Sequence, residues 1–113
     1  MLKFVGDLLE RRTFKAAYYD LMFSPSAAVD GHRRSFGWDM TAAKSTFSDW
    51  TTTGFSDQAI CHTGWTGSAI AVDPACGFAG VVLGNRIAGK EKTMGPRLEL
   101  LESMRQHPSV DLV

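Results

Sequence analysis

Cysteine is scarce in this chain of 113 residues, where only Cys61 and Cys76 occur. Two thiols cannot build the disulfide framework of a small secreted scaffold, and their spacing matches no zinc-ligand pattern. They read as two small apolar residues. A bridge stays open only if strand register brings them together. An excess of one charge is also lacking. Twelve Lys and Arg balance twelve Asp and Glu. That balance argues against a nucleic-acid surface, which carries a basic excess. No apolar run is long enough to span a bilayer, and no basic-then-apolar export signal opens the chain. His32, His62 and His107 have no ligand-like spacing, so no metal site is expected, and no cofactor.

What is present fits one small domain over residues 1–113 with a modest core. The apolar fraction of 44% is ordinary. Eleven glycines are many for this length. Those clustered after Gly54 point to turns and close backbone approaches.

Leu2, Val5, Leu8 and Leu9 form a short helical stripe, weakened by Gly6. Thr13 is a candidate cap for a second helix, in which Phe14, Ala17, Tyr18, Leu21 and Met22 recur at helical spacing. Ser24-Pro25 ends it. Residues 26–34 read as a polar connector with an Asp30-Gly31 turn. Phe36, Trp38 and Met40 alternate as in a short strand with one apolar face. Residues 41–57 read as a loop held down by Phe47, Trp50 and Phe55, with a binding or covering role and an irregular excursion both open.

Three main strands follow, Gln58–Trp65, Ser68–Asp73 and Phe78–Asn85, giving a core meander over 58–86. Asp73-Pro74-Ala75-Cys76-Gly77 has the chemistry of a turn. Ala69-Ile70-Ala71-Val72 and Ala79-Gly80-Val81-Val82-Leu83 are apolar on both faces, which predicts layers packed on both sides of the sheet. A terminal helix spans 96–107. Pro96 sits in its first turn, and Leu98, Leu101, Met104 and Arg105 form its stripe. Glu99 and Glu102 come early, Arg105 and His107 late, in agreement with the helix dipole. Pro108 stops it. The expected class is α+β, an antiparallel meander packed with amino- and carboxy-terminal helices.

On its strand, His62 shares a face with Gly64, and Thr63 shares the other with Trp65. Gly64 leaves room for an extended substrate backbone. Free N–H and C=O groups on a strand edge could hold that backbone by strand addition. A backbone N–H just beyond the glycine could meet a developing oxyanion. Thr63 offers a hydrogen-bond donor and His62 a titratable group. A Cys61–His62 dyad fails, because adjacent strand residues point to opposite faces.

Four blocks then stand in order: Gly37-Trp38-Asp39, His62-Thr63-Gly64-Trp65-Thr66-Gly67, Ile70-Ala71-Val72-Asp73-Pro74 and Val81-Val82-Leu83-Gly84-Asn85-Arg86. Together they resemble the carboxy-terminal part of the class C β-lactamase-related serine hydrolases, a family that includes penicillin-binding proteins and esterases. The likeness is loose before Phe36 and close from Ile60 to Arg86. It implies a partial β-lactamase/transpeptidase-like fold. It also implies that His62 adjusts proton balance near the catalytic serine and tyrosine, and that Thr63 contacts a substrate carboxylate or carbonyl. Gly64 would keep the strand accessible, and the Trp65 backbone N–H would supply half of the oxyanion hole. The family triplet is usually Lys-Thr-Gly. His62 in the first place favours an esterase, a peptidase-like enzyme or an uncharacterised hydrolase over a genuine β-lactamase.

The Ser-x-x-Lys pair and the Tyr-x-Asn element of that family are absent here. The resemblance therefore implies that nucleophile and general base lie upstream in a full-length member, and full-length relatives are often exported. It further implies that two strands of the family sheet are missing, leaving the Phe78–Asn85 strand with an unpaired edge. A homo-oligomer or a partner chain would cover that edge. Three functions compete. One is a hydrolase fragment inactive alone. Another is one piece of a split active hydrolase, completed by a chain bearing Ser-x-x-Lys. The third is a non-enzymatic binding or assembly module on the same scaffold.

Overall fold

The computed structural model describes residues 1–29, 32–40, 54–84 and 95–107. Three helices, α1 (Leu2–Leu9), α2 (Ala16–Met22) and α3 (Gly95–Gln106), accompany six strands: β1 (Ala27–Val29), β2 (His32–Ser35), β3 (Trp38–Met40), β4 (Ile60–Thr63), β5 (Ala69–Asp73) and β6 (Phe78–Val82). The strands form one antiparallel sheet in chain order, a meander with β1 and β6 at its ends. The class is α+β, as the sequence predicts.

Both faces of the sheet are covered, as the two-sided apolar strands require. On one face Val5, Leu8, Tyr19 and Met22 pack with Ile60 and Val72. On the other, Leu98 and Leu101 of α3 pack with Phe55, Cys61, Ala69 and Ala71. Strand parity explains this division, since residues 60 and 72 share one face and 61 and 71 the other. Gly80 lets α3 settle close, because a Cβ there would lie 3.1 Å from Leu101 Cδ2 and 2.5 Å from the Phe78 ring.

Several expectations need correction. Thr13 does not cap α2, whose N-cap is Lys15 without a side-chain bond. The backbone N–H groups of Thr13 and Phe14 instead donate to Tyr19 Oη at 2.8 and 3.0 Å. Tyr19 is buried with Met22, while Phe14, Tyr18 and Leu21 are exposed. The expected connector 26–34 contains the paired strands β1 and β2, with Val29 opposite His32; its Asp30-Gly31 signal lies outside the described residues. The alternation at 36–40 spans a turn. Ser35 pairs with Trp38, Gly37 takes φ +83°, and Phe36 is exposed while Met40 is buried.

Phe55 is a core residue, whereas Phe47 and Trp50 lie outside the described residues. The main strands are shorter than predicted at their ends, and Asn85, Arg86 and Pro108 also lie outside. In α3, Met104 faces solvent instead of joining the stripe. The helix has no acidic residue in its first turn, and Arg105 is the basic residue of its last.

Two polar knots hold the far end of the sheet. Buried Asp73 accepts hydrogen bonds from Ser56 N–H at 2.9 Å, Ser56 Oγ at 2.6 Å and Ala75 N–H at 3.0 Å. Gly77, φ +67°, closes the turn after it. In the second knot, Arg105 donates to Glu102 at 2.6 and 2.9 Å, and its guanidinium lies over the Phe55 ring at 5.8 Å. This is the long charged side chain reaching past the apolar surface that the sequence predicts.

The Arg105 hydrogen bonds hold the Glu102 carboxyl below its ordinary range, against the opposing effect of desolvation and with help from Gln106 and the Gly54 backbone. A depressed carboxyl contributes stability above the ordinary Glu range and loses it as pH falls through the folded value. Glu102→Gln should therefore lower stability by about 1 kcal/mol at neutral pH. Urea titrations at stepped pH should show the difference closing in acid.

Candidate active-site strand

The candidate site is built where β4 runs into its turn. Gly64 N–H donates to Ser68 O at 2.8 Å, and Gly67 N–H donates to Gly64 O at 3.1 Å. Gly67 supplies the φ of +113° that brings the chain back into β5. A Cβ at Gly64 would meet Ser68 Oγ, the end of a side chain that can turn aside.

The same bond fixes which way the backbone groups point. Gly64 and Ser68 form a hydrogen-bonded pair, so His62↔Ile70 and Ile60↔Val72 are the next two along the ladder. The N–H and C=O groups of Cys61 and Thr63 then face away from β5, toward β3. There the β3–β4 register ends at Asp39↔Cys61. No described strand continues beside Thr63, so the strand acquires an open side where its motif begins. An extended segment could add there.

His62 is exposed and lies on the face of α1 and α2. Its ring meets Trp38 edge-on, with centroids 6.4 Å apart and planes at 86°. His62, Gly64 and Ser68 line one side of an open depression of about 170 Å³; Ile70, Val81, Leu83 and Met1 complete most of its wall. The structure thus brings His62 and Gly64 together. It does not bring Thr63 to the same depression, since that half-buried residue points to the opposite face. Trp65 stands in the turn with its side chain 64% exposed.

Ser68, Val81 and Leu83 are not among the site residues the sequence predicts. The signal that could have found Ser68 is its position four residues after Gly64, across a tight turn. Val81 and Leu83 arrive through the β5–β6 register, which local motif reading does not supply. Apart from His62, no lining side chain is ionisable, so the depression is a mostly apolar wall with one imidazole ring.

The cysteines take no part in this depression. Both are free thiols. Cys61 lies on the opposite face from His62, buried, with its Sγ–H directed at Asp39 O at 3.4 Å. Burial pushes its thiol well up, and Asp39 adds to the effect. Cys76 is exposed in the Asp73–Gly77 turn, and its thiol is also raised, by desolvation first and by Asp73 next. Neither has the electropositive setting of a reactive thiolate.

Among the described residues, no group of three or more His, Cys, Asp or Glu is placed to hold a metal ion. No described helix is long and apolar enough to cross a membrane. No family model matches this chain, and neither a curated protein nor a solved structure does.

Proposed function

We propose that this chain is the carboxy-terminal part of a class C β-lactamase-related serine hydrolase, carrying the substrate and oxyanion strand and inactive by itself. The observation that carries the reading is the end of β4. His62 and Gly64 line one depression, while the β3–β4 pairing ends at Asp39↔Cys61 and leaves no described strand beside Thr63. That combination suits an acyl-transfer site. An extended substrate lies along the open edge, its reacting carbonyl meets a backbone donor after the glycine, and a titratable ring stands close by.

The roles follow from position. His62 would adjust protonation near a serine supplied from elsewhere. Thr63, on the opposite face, would hold the substrate through its backbone edge and its hydroxyl. Trp65 would present its backbone N–H to the oxyanion. On this reading the partial β-lactamase/transpeptidase-like fold comprises the sheet with α1, α2 and α3. The nucleophile belongs to a segment bearing Ser-x-x-Lys.

The open edge beside Thr63 equally suits a split enzyme, in which a second chain brings Ser-x-x-Lys and Tyr-x-Asn. Mixing the two products should then restore ester or β-lactam turnover that neither has alone, and no gain on mixing would argue for the inactive fragment. The binding-module reading loses part of its motivation, because Phe55 is spent on the domain's own core.

A further inference from the structure

We infer that β6 is a self-complementary edge through which two copies of this chain join into one continuous antiparallel sheet, with Gly80 on the two-fold axis. The inference stands apart from the hydrolase reading and does not depend on it.

Register identifies the groups involved. Ile70 and Val72 direct their backbone groups to β4, so Ala69, Ala71 and Asp73 direct theirs to β6. Their partners Val82, Gly80 and Phe78 are consumed in that ladder. The N–H and C=O of Ala79 and Val81 therefore point outward, where no described strand lies. A two-fold axis through Gly80 sets Ala79 opposite Val81 of the second copy, and Val81 opposite its Ala79. All outward groups of the pair are then satisfied.

Three features favour a second copy as the occupant. Phe78-Ala79-Gly80-Val81-Val82 contains no charge and no proline, so two of the usual devices that keep an edge single are missing. The formal net charge is zero, so like copies do not repel over distance. The helices also fit. Both α1 and α3 pack on β5 and on the edge strand β6. Joining two edges would bring each helix toward its counterpart across the new strand pair, about 4.8 Å wide. Both helices carry exposed apolar side chains, Leu2 and Phe4 on α1 and Leu100 and Met104 on α3.

Residue-resolved amide exchange, run beside sedimentation mass, tests this on the unaltered chain. The Gly80 and Val82 amides should exchange slowly at every concentration. The Ala79 and Val81 amides should exchange fast when dilute, and at least about tenfold more slowly once the mass doubles, by mass action. Ala79→Pro removes an outward N–H that β5 does not use. It should abolish both the mass doubling and the protection of Val81. A monomeric mass throughout would overturn the inference, whether the outward amides are fast or are protected by the chain itself. So would a dimer in which Val81 stays unprotected. Should the proline variant fail to fold, the exchange pattern of the unaltered chain decides alone.

Discussion

Replacing Asp73 with Ala lowers the unfolding free energy by about 3 kcal/mol, the larger of the two stability effects expected here. The reason is the position of the carboxylate and not its charge alone. It is 1% exposed and accepts from Ser56 N–H, Ser56 Oγ and Ala75 N–H. Alanine removes the acceptor and leaves backbone donors in a part-buried site, each costing roughly 1–3 kcal/mol when unmet. The loss should reach further than the turn. Ser56 adjoins Phe55, which packs beneath α3 in the core, so freeing Ser56 loosens an aromatic anchor. In a domain of this size the melting midpoint should fall by roughly 15 °C. The dependence on denaturant should keep its slope while its midpoint drops. Asp73→Asn retains an acceptor oxygen and should cost less than half as much.

The second large effect concerns catalysis, in an enzyme completed by a chain bearing the nucleophile. There, Trp65→Pro should lower kcat about 100-fold or more, the usual cost of removing one oxyanion donor. Proline suits the position for a physical reason. Gly67 N–H donates to Gly64 O, which makes residue 65 the second position of a β-turn, where proline's fixed φ is favoured. The substitution takes away the backbone N–H with little demand on the turn. Trp65→Ala keeps that N–H and removes the indole, so it should leave kcat within about tenfold. Equal losses in the two variants would assign the effect to the indole ring and remove the oxyanion role.

Parts of this architecture were legible because local pattern and tertiary demand agree. The two-faced apolar runs in β5 and β6 announced cover on both sides, and α1 and α3 supply it. The turn after Asp73 was legible from Pro74 and Gly77. The shared face of His62 and Gly64 followed from strand parity. Where the reading failed, a nonlocal partner intervened. Phe36 looked like a strand residue, but Gly37 at positive φ makes it the tip of a hairpin. The buried face of α2 holds Tyr19, whose Oη has a use, binding the Thr13 and Phe14 amides, that periodicity cannot express. Strands β1 and β2 looked like a connector because His32, Arg33 and Arg34 lack apolar alternation. The neighbours of His62 came from β3, β5 and β6 through register alone, so neither the Trp38 contact nor the Leu83 wall could be read in advance.

The measurement that bears most directly on the central claim is the intact mass of this chain after exposure to a serine-directed acylating probe, with ester and β-lactam reporters followed in parallel. If β4 is one wall of a site whose nucleophile lies elsewhere, the mass should stay unmodified and the reporters should show no turnover. A stoichiometric adduct on a serine of this chain, followed by its release and further turnover, would contradict the account.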